Sequence, residues 1–180
     1  GYTHEKNEFL QCAEKQRESL KKWLKLYNRL SDEPVKGFRA PAFRLNVTTP
    51  FLLESLGFDY DSSIVPTYIP NHYSYGILAP KTPYHPHRKN PAKKGSMKIL
   101  EIPMSISPLL PIPIGASAMR NLGTEWVKLS LKLLSLYRHL IVFYVHPKDV
   151  MELPKVKGIP SYNYRNMGDK ALQMLDEIIT

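Results

Sequence analysis

Apolar residues recur at three- and four-residue steps through residues 7–29. Phe9, Leu10, Ala13, Leu20, Trp23, Leu24 and Tyr27 line one face and charges fill the other, which predicts an amphipathic helix. Ser31-Asp32-Glu33-Pro34 stops it. Residues 35–39 predict a short strand, ended by Pro41. Thr49 as cap and Pro50 in the first turn predict a second helix, packed by Phe51, Leu52, Leu53 and Leu56 and ended by Gly57 at the C′ position. Residues 58–60 lead into a second strand. The pattern then lapses. Residues 66–96 carry Pro66, Pro70, Pro80, Pro83, Pro86 and Pro91, with Tyr68, Tyr73, Tyr75 and Tyr84 between them. They predict a long packed loop, because a disordered segment is poor in aromatics. Residues 98–102 predict a strand, followed by the apolar, proline-rich stretch 103–114. A helix capped by Thr124 is predicted over 124–138, with Trp126, Val127 and a run of leucines as its contacts. Residues 140–145 form the strongest strand candidate, a continuous apolar run of the kind a parallel sheet buries on both faces. A last helix over 167–179 carries Ala171, Leu172, Leu175, Ile178 and Ile179. Strands alternating with helices predict an α/β architecture.

At 180 residues, of which 43% are hydrophobic and 23% charged, the chain suits one globular domain or a large part of one. No run approaches the ~20 apolar residues of a transmembrane helix, and no basic-then-apolar leader opens the chain. A single cysteine, Cys12, excludes an internal disulfide framework and a multi-cysteine zinc site. The net charge of +9 raises the question of an anionic partner. The basic residues are scattered, however, and no nucleic-acid motif accompanies them. No nucleic-acid partner is therefore expected.

Two residues at strand ends are candidates for chemistry. His146 closes the apolar run and precedes Pro147. The C-terminal end of a parallel strand is where reactive groups collect, and an imidazole suits proton transfer near neutrality. Position alone leaves a hydrogen-bonded structural histidine equally open. Arg39 ends another strand, where a guanidinium can orient a carboxylate; a surface ion pair is the plainer reading. His85-Pro86-His87 could chelate a metal, but no carboxylate stands near them in sequence.

The segments Gly37-Phe38-Arg39-Ala40-Pro41-Ala42-Phe43, Gly57-Phe58-Asp59-Tyr60-Asp61-Ser62-Ser63 and Phe143-Tyr144-Val145-His146-Pro147, preceded by His4, occur in the order expected of a polysaccharide deacetylase. The chain resembles the NodB-homology domain, carbohydrate esterase family four, over nearly its whole length. Asn71-His72, Tyr75-Gly76-Ile77 and Pro83-Tyr84 also resemble the loop of the subgroup tied to exopolysaccharide and envelope glycans.

The resemblance implies an α/β fold of the deformed (β/α) barrel type and metal-dependent hydrolysis of N-acetyl groups on the amino sugars of a glycan. It implies one divalent ion, zinc, with His4 as a ligand. It makes His146 the acid that protonates the leaving amine and Arg39 the residue that orients the catalytic base. The Ala42 N–H becomes the oxyanion donor, and tyrosines such as Tyr84 become candidates to stack on sugar faces. The family's Asp-Asp segment, which supplies the base and a metal ligand, matches nothing here. The family's acidic residue and tryptophan ahead of the last histidine have only Glu101 and Trp126 as counterparts, neither at the family spacing. The expectation is therefore a single deacetylase-like domain over residues 1–180, incomplete as a barrel, trimmed at both ends and inactive alone. The alternative is a non-catalytic glycan-binding module on the same fold.

Overall fold

The computed structural model describes residues 7–67, 75–76, 78–137 and 140–180. The chain forms two compact units, Gly1–Pro103 and Met104–Thr180.

In the first unit, the predicted N-terminal helix is broken. A 3-10 turn at Glu8–Leu10 buries Phe9, the chain turns through Gln11 and Cys12, and helix α1 then runs over Ala13–Tyr27. Leu20 and Gln16 face inward. The buried Gln16 amide is satisfied: its Nε2 donates to Gln11 O at 2.6 Å, and its Oε1 accepts from Thr49 Oγ1 at 2.8 Å. That second bond corrects the expected cap. Thr48 holds the N-cap position of helix α2 (Thr49–Ser55), and the Thr49 hydroxyl serves α1 instead. The C-terminus of α2 is as expected. Gly57 adopts φ +83°, its N–H donates to Glu54 O, and the Phe58 N–H donates to Leu53 O, the paired bonds of a Schellman motif.

Strands β1 (Gly37–Phe38), β2 (Tyr60–Asp61) and β5 (Leu100–Glu101) form a parallel sheet in the order β1-β2-β5. Phe38 is in register with Asp61, and Asp61 with Glu101. Phe9, Leu20, Phe38, Leu53, Phe58 and Ile99 belong to the core between sheet and helices. The expected loop 66–96 contains an antiparallel hairpin, β3 (Pro86–His87) with β4 (Asn90–Lys94). Prolines argue against central strands. A two-stranded ribbon has two edges, so Pro86 and Pro91 can sit in it without breaking a ladder on both sides.

The second unit is built from α3 (Ala116–Leu122), α4 (Thr124–Ser135) and α5 (Asp169–Ile179). Ile114, Ala116, Met119, Val127, Ala171 and Met174 form its core. Helix α3 falls where the sequence shows a glycine-led polar stretch. Gly123, at φ +92°, separates it from α4. Gly123 also holds the N-cap position of α4, so Thr124 is not the cap; its hydroxyl donates to Glu177 on α5 at 2.9 Å. Residues 140–145 are a second correction. They form no strand, only one parallel bridge from Tyr144 to Gly115, and Leu140 is 57% exposed. Among the described residues of this unit no neighbouring strand offers a ladder. The run is held by Ala116 N–H to Tyr144 O and Val142 N–H to Ser105 Oγ, each 2.8 Å, while Phe143 and Val145 pack against the helical core.

The chain is thus mixed α/β with a parallel sheet. Among the described residues that sheet is open and three strands wide.

Candidate functional site

The C-terminal ends of the three parallel strands bring together Arg39, Asp61 and Glu101 in the first unit. Arg39 follows β1, while Asp61 and Glu101 close β2 and β5. This is the sheet edge at which α/β folds place their chemistry. Arg39 is half-buried and clamps the turn after β2. Its Nε donates to Ser62 O at 2.8 Å and its Nη2 to Ser62 Oγ at 2.6 Å. Ser62 Oγ donates onward to Ile102 O at 2.7 Å. The neighbouring Ser63 Oγ accepts from the Ala40 N–H at 2.8 Å and donates to Asp61 Oδ1 at 2.5 Å. Glu101 Oε1 accepts from the Ile64 N–H at 2.9 Å.

Both carboxyls are 1% exposed. Burial pushes Asp61 up to about 7, against the opposing pull of the Ser63 hydroxyl, the Ser62 amide, Glu101 and the Arg39 guanidinium. Burial also raises Glu101 well above the ordinary carboxylate range, and the charge of Asp61 adds to that. Tyr84 is pushed up by burial first and by both carboxyls after that.

The turn following Arg39 is strained. Ala42 and Phe43 take φ of +52° and +56°, a left-handed conformation that side chains other than glycine rarely adopt. The bonds Phe43 N–H to Ala40 O and Arg44 N–H to Pro41 O close the turn, and the Arg39 guanidinium lies 5.5 Å from the Phe43 ring centre. Ala42 is exposed, and its N–H forms no hydrogen bond among the described residues.

In the second unit, His146 is half-buried and leads into a 3-10 turn at Pro147–Val150. Its N–H donates to Asp149 Oδ2 at 2.9 Å, and its ring lies edge-on to Tyr144 with centres 6.3 Å apart. Asp149 is buried and paired with the buried Arg120 at 2.8 Å. A second guanidinium nitrogen of Arg120, Nη1, donates to Asn163 O and Arg165 O at 3.0 and 2.7 Å. Nothing in the spacing of Arg120 and Asp149 along the chain marks them as a pair.

Tyr84 does not fit the sugar-stacking expectation. It is 4% exposed, bridged through its backbone to Glu101, and its hydroxyl donates to Pro91 O at 2.6 Å. His4, His72, His139, Tyr68 and Tyr73 lie outside the described residues. Among the described residues no three His, Cys, Asp or Glu side chains cluster to hold a metal ion. His4, the ligand the resemblance implies, is not among them. Glu101 was visible as an acid between apolar neighbours and Asp61 only as part of the 57–63 segment, and their pairing depends on strand register.

The fold is that of a crystal structure of a "putative polysaccharide deacetylase" from Mycobacterium smegmatis, with a TM-score of 0.59 at 18% identity. The match covers 99% of this chain and 53% of that one, so this chain spans about half the length of its structural relative. Residues 62–177 match the family described as a domain of unknown function (DUF3473), a deacetylase-associated domain, and the chain belongs to that family. No curated protein matches.

Proposed function

We propose that this chain contributes the sheet end and acid-bearing segment of a hydrolase that removes N-acetyl groups from the amino sugars of a polysaccharide. We also propose that residues 1–180 form one deacetylase-like domain built as part of a deformed (β/α) barrel. The observation that carries the reading is the strained turn after Arg39, which exposes the Ala42 N–H at the C-terminal end of β1. An amide carbonyl gains negative charge on oxygen when water attacks it. A fixed N–H aimed at that oxygen stabilises the intermediate, typically by about 3–4 kcal/mol. Arg39 is anchored through Ser62 and keeps its positive charge at the same strand end, where it can orient an anionic base. His146 is the group proposed to protonate the departing amine. Likeness to a deacetylase structure supports the class of substrate.

The test is acetate release from an N-acetylated chitooligosaccharide by the full-length protein. Release should fall by about 10²–10⁴-fold in His146→Ala, the usual range for an acid–base group. A protein that binds the oligosaccharide without releasing acetate would be a glycan-binding module instead. One that neither binds nor releases would reject both readings.

A further inference from the structure

The Asp61–Glu101 pair plays no part in the chemistry proposed above, and burying two carboxyls side by side needs a reason. They are register partners on adjacent parallel strands, so their side chains leave the same face of the sheet about 5 Å apart at the backbone. Asp61 Oδ1 accepts from Ser63, and Glu101 Oε1 accepts from Ile64. Asp61 Oδ2 is fully buried and meets no donor among the described residues. An orphaned buried acceptor beside a second carboxyl is satisfied when that carboxyl carries a proton and donates it.

We propose that Asp61 and Glu101 share one proton, and that this shared proton positions Arg39 and the strained turn after it. Asp61 holds Ser63, Ser63 holds the Ala40 N–H, and Glu101 holds the Ile64 N–H; between them Ser62 accepts two bonds from Arg39. With one proton the pair carries a single negative charge, offset by the guanidinium. Without it, two adjacent buried carboxylates repel, and the cheapest relief is to open the 62–64 turn to water, which releases Arg39. The other titratable groups facing the pair are Tyr84, bridged to β5, and Tyr75 beyond it. Both are held neutral by burial, so neither supplies a compensating cation. The elevated carboxyl pKa values agree with this arrangement. The consequence for activity rests on the deacetylase reading; the shared proton does not.

The experiment uses the full-length protein and two readouts that need no turnover. Infrared pH titration should show a protonated carboxyl persisting to about pH 7, absent at that pH in Glu101→Gln, whose amide donates to Asp61 without a titratable proton. Exchange of the Arg39 Nε–H, followed by NMR, should lose protection by at least about tenfold in the wild type as pH rises from about 6 to about 9, once the intrinsic base-catalysed rise is removed. Glu101→Gln should keep that protection. Asp61→Asn leaves one ionisable carboxyl and should keep it too, which decides the matter if the first variant does not fold. No protonated carboxyl above about pH 5 in the wild type, pH-independent protection, or the same alkaline release in a variant would each overturn the proposal. A protein that passes these tests yet releases no acetate keeps the shared proton and loses the deacetylase reading. An active protein that fails them does the reverse.

Discussion

Asp61 and Glu101 set a pH dependence opposite to that of ordinary paired carboxylates. A carboxyl whose folded-state pKa is raised keeps its proton in the native state after the unfolded chain has released it. Its contribution is fully present below the unfolded value, near 4, and is lost as pH rises through the folded value, about 7 for Asp61. Chemical denaturation from about pH 4 to about pH 8 should therefore show falling stability, and Asp61→Asn should flatten the slope. A slope unchanged by the substitution would remove Asp61 as its source. Arg120 poses a different test. It is the buried partner of Asp149, and Arg120→Ala leaves that carboxylate buried without its ion pair. The loss should be about 3–5 kcal/mol in urea unfolding, far beyond a surface ion pair. At this scale the sequence was half legible. Arg39 stands at the end of β1 as expected, whereas His146 was expected to close a strand that residues 140–145 do not form. Ser62, the partner of Arg39, was not legible, because side-chain hydrogen bonds across 23 residues leave no periodic trace, and Asp149 was not, because its carboxylate is held by the His146 backbone N–H rather than by the imidazole.

Two glycines separate the two ways an element can need one. Gly57 closes α2 at φ +83°, and nothing lies within 4 Å of where a Cβ would stand. Gly57→Ala should thus cost only the left-handed conformation, about 1–2 kcal/mol. Gly115 has an extended backbone that any residue adopts, but its Cβ would lie 2.6 Å from Tyr144 O. Gly115→Ala should instead break the Gly115–Tyr144 bridge, one of the contacts that hold residues 140–145, read as faster amide exchange at Ala116. If Ala116 exchange is unchanged, the bridge is not what fixes that segment. The helices α1, α2, α4 and α5 were readable because each carries its own amphipathic period. Residues 140–145 misled because an apolar run reports burial in some environment, not a ladder. Their side chains instead line one wall of an apolar groove against α4 and α5, formed by Leu131, Ile141, Phe143, Val145, Leu175 and Ile178. The β3–β4 hairpin was hidden by its prolines, and α3 by a short, polar sequence without a recognisable start.

Each unit of the molecule has its own core. The first packs α1 and α2 on the parallel sheet, and the second packs three helices around residues 143 and 145. No described helix is long and apolar enough to cross a membrane. The order of motifs along the chain made the fold legible, since fold likeness extends over 99% of the chain despite 18% identity. The central claim is that the end of β1, with Arg39 and the Ala42 N–H, is where an acetyl group binds. The most direct measurement is an amide NMR titration of the full-length protein with an N-acetylated chitooligosaccharide. The account predicts saturable shifts centred on the Ala42 and Phe43 amides and the Arg39 Nε–H, weakened in Arg39→Ala. Saturable binding that leaves these three resonances unmoved while others shift would contradict it.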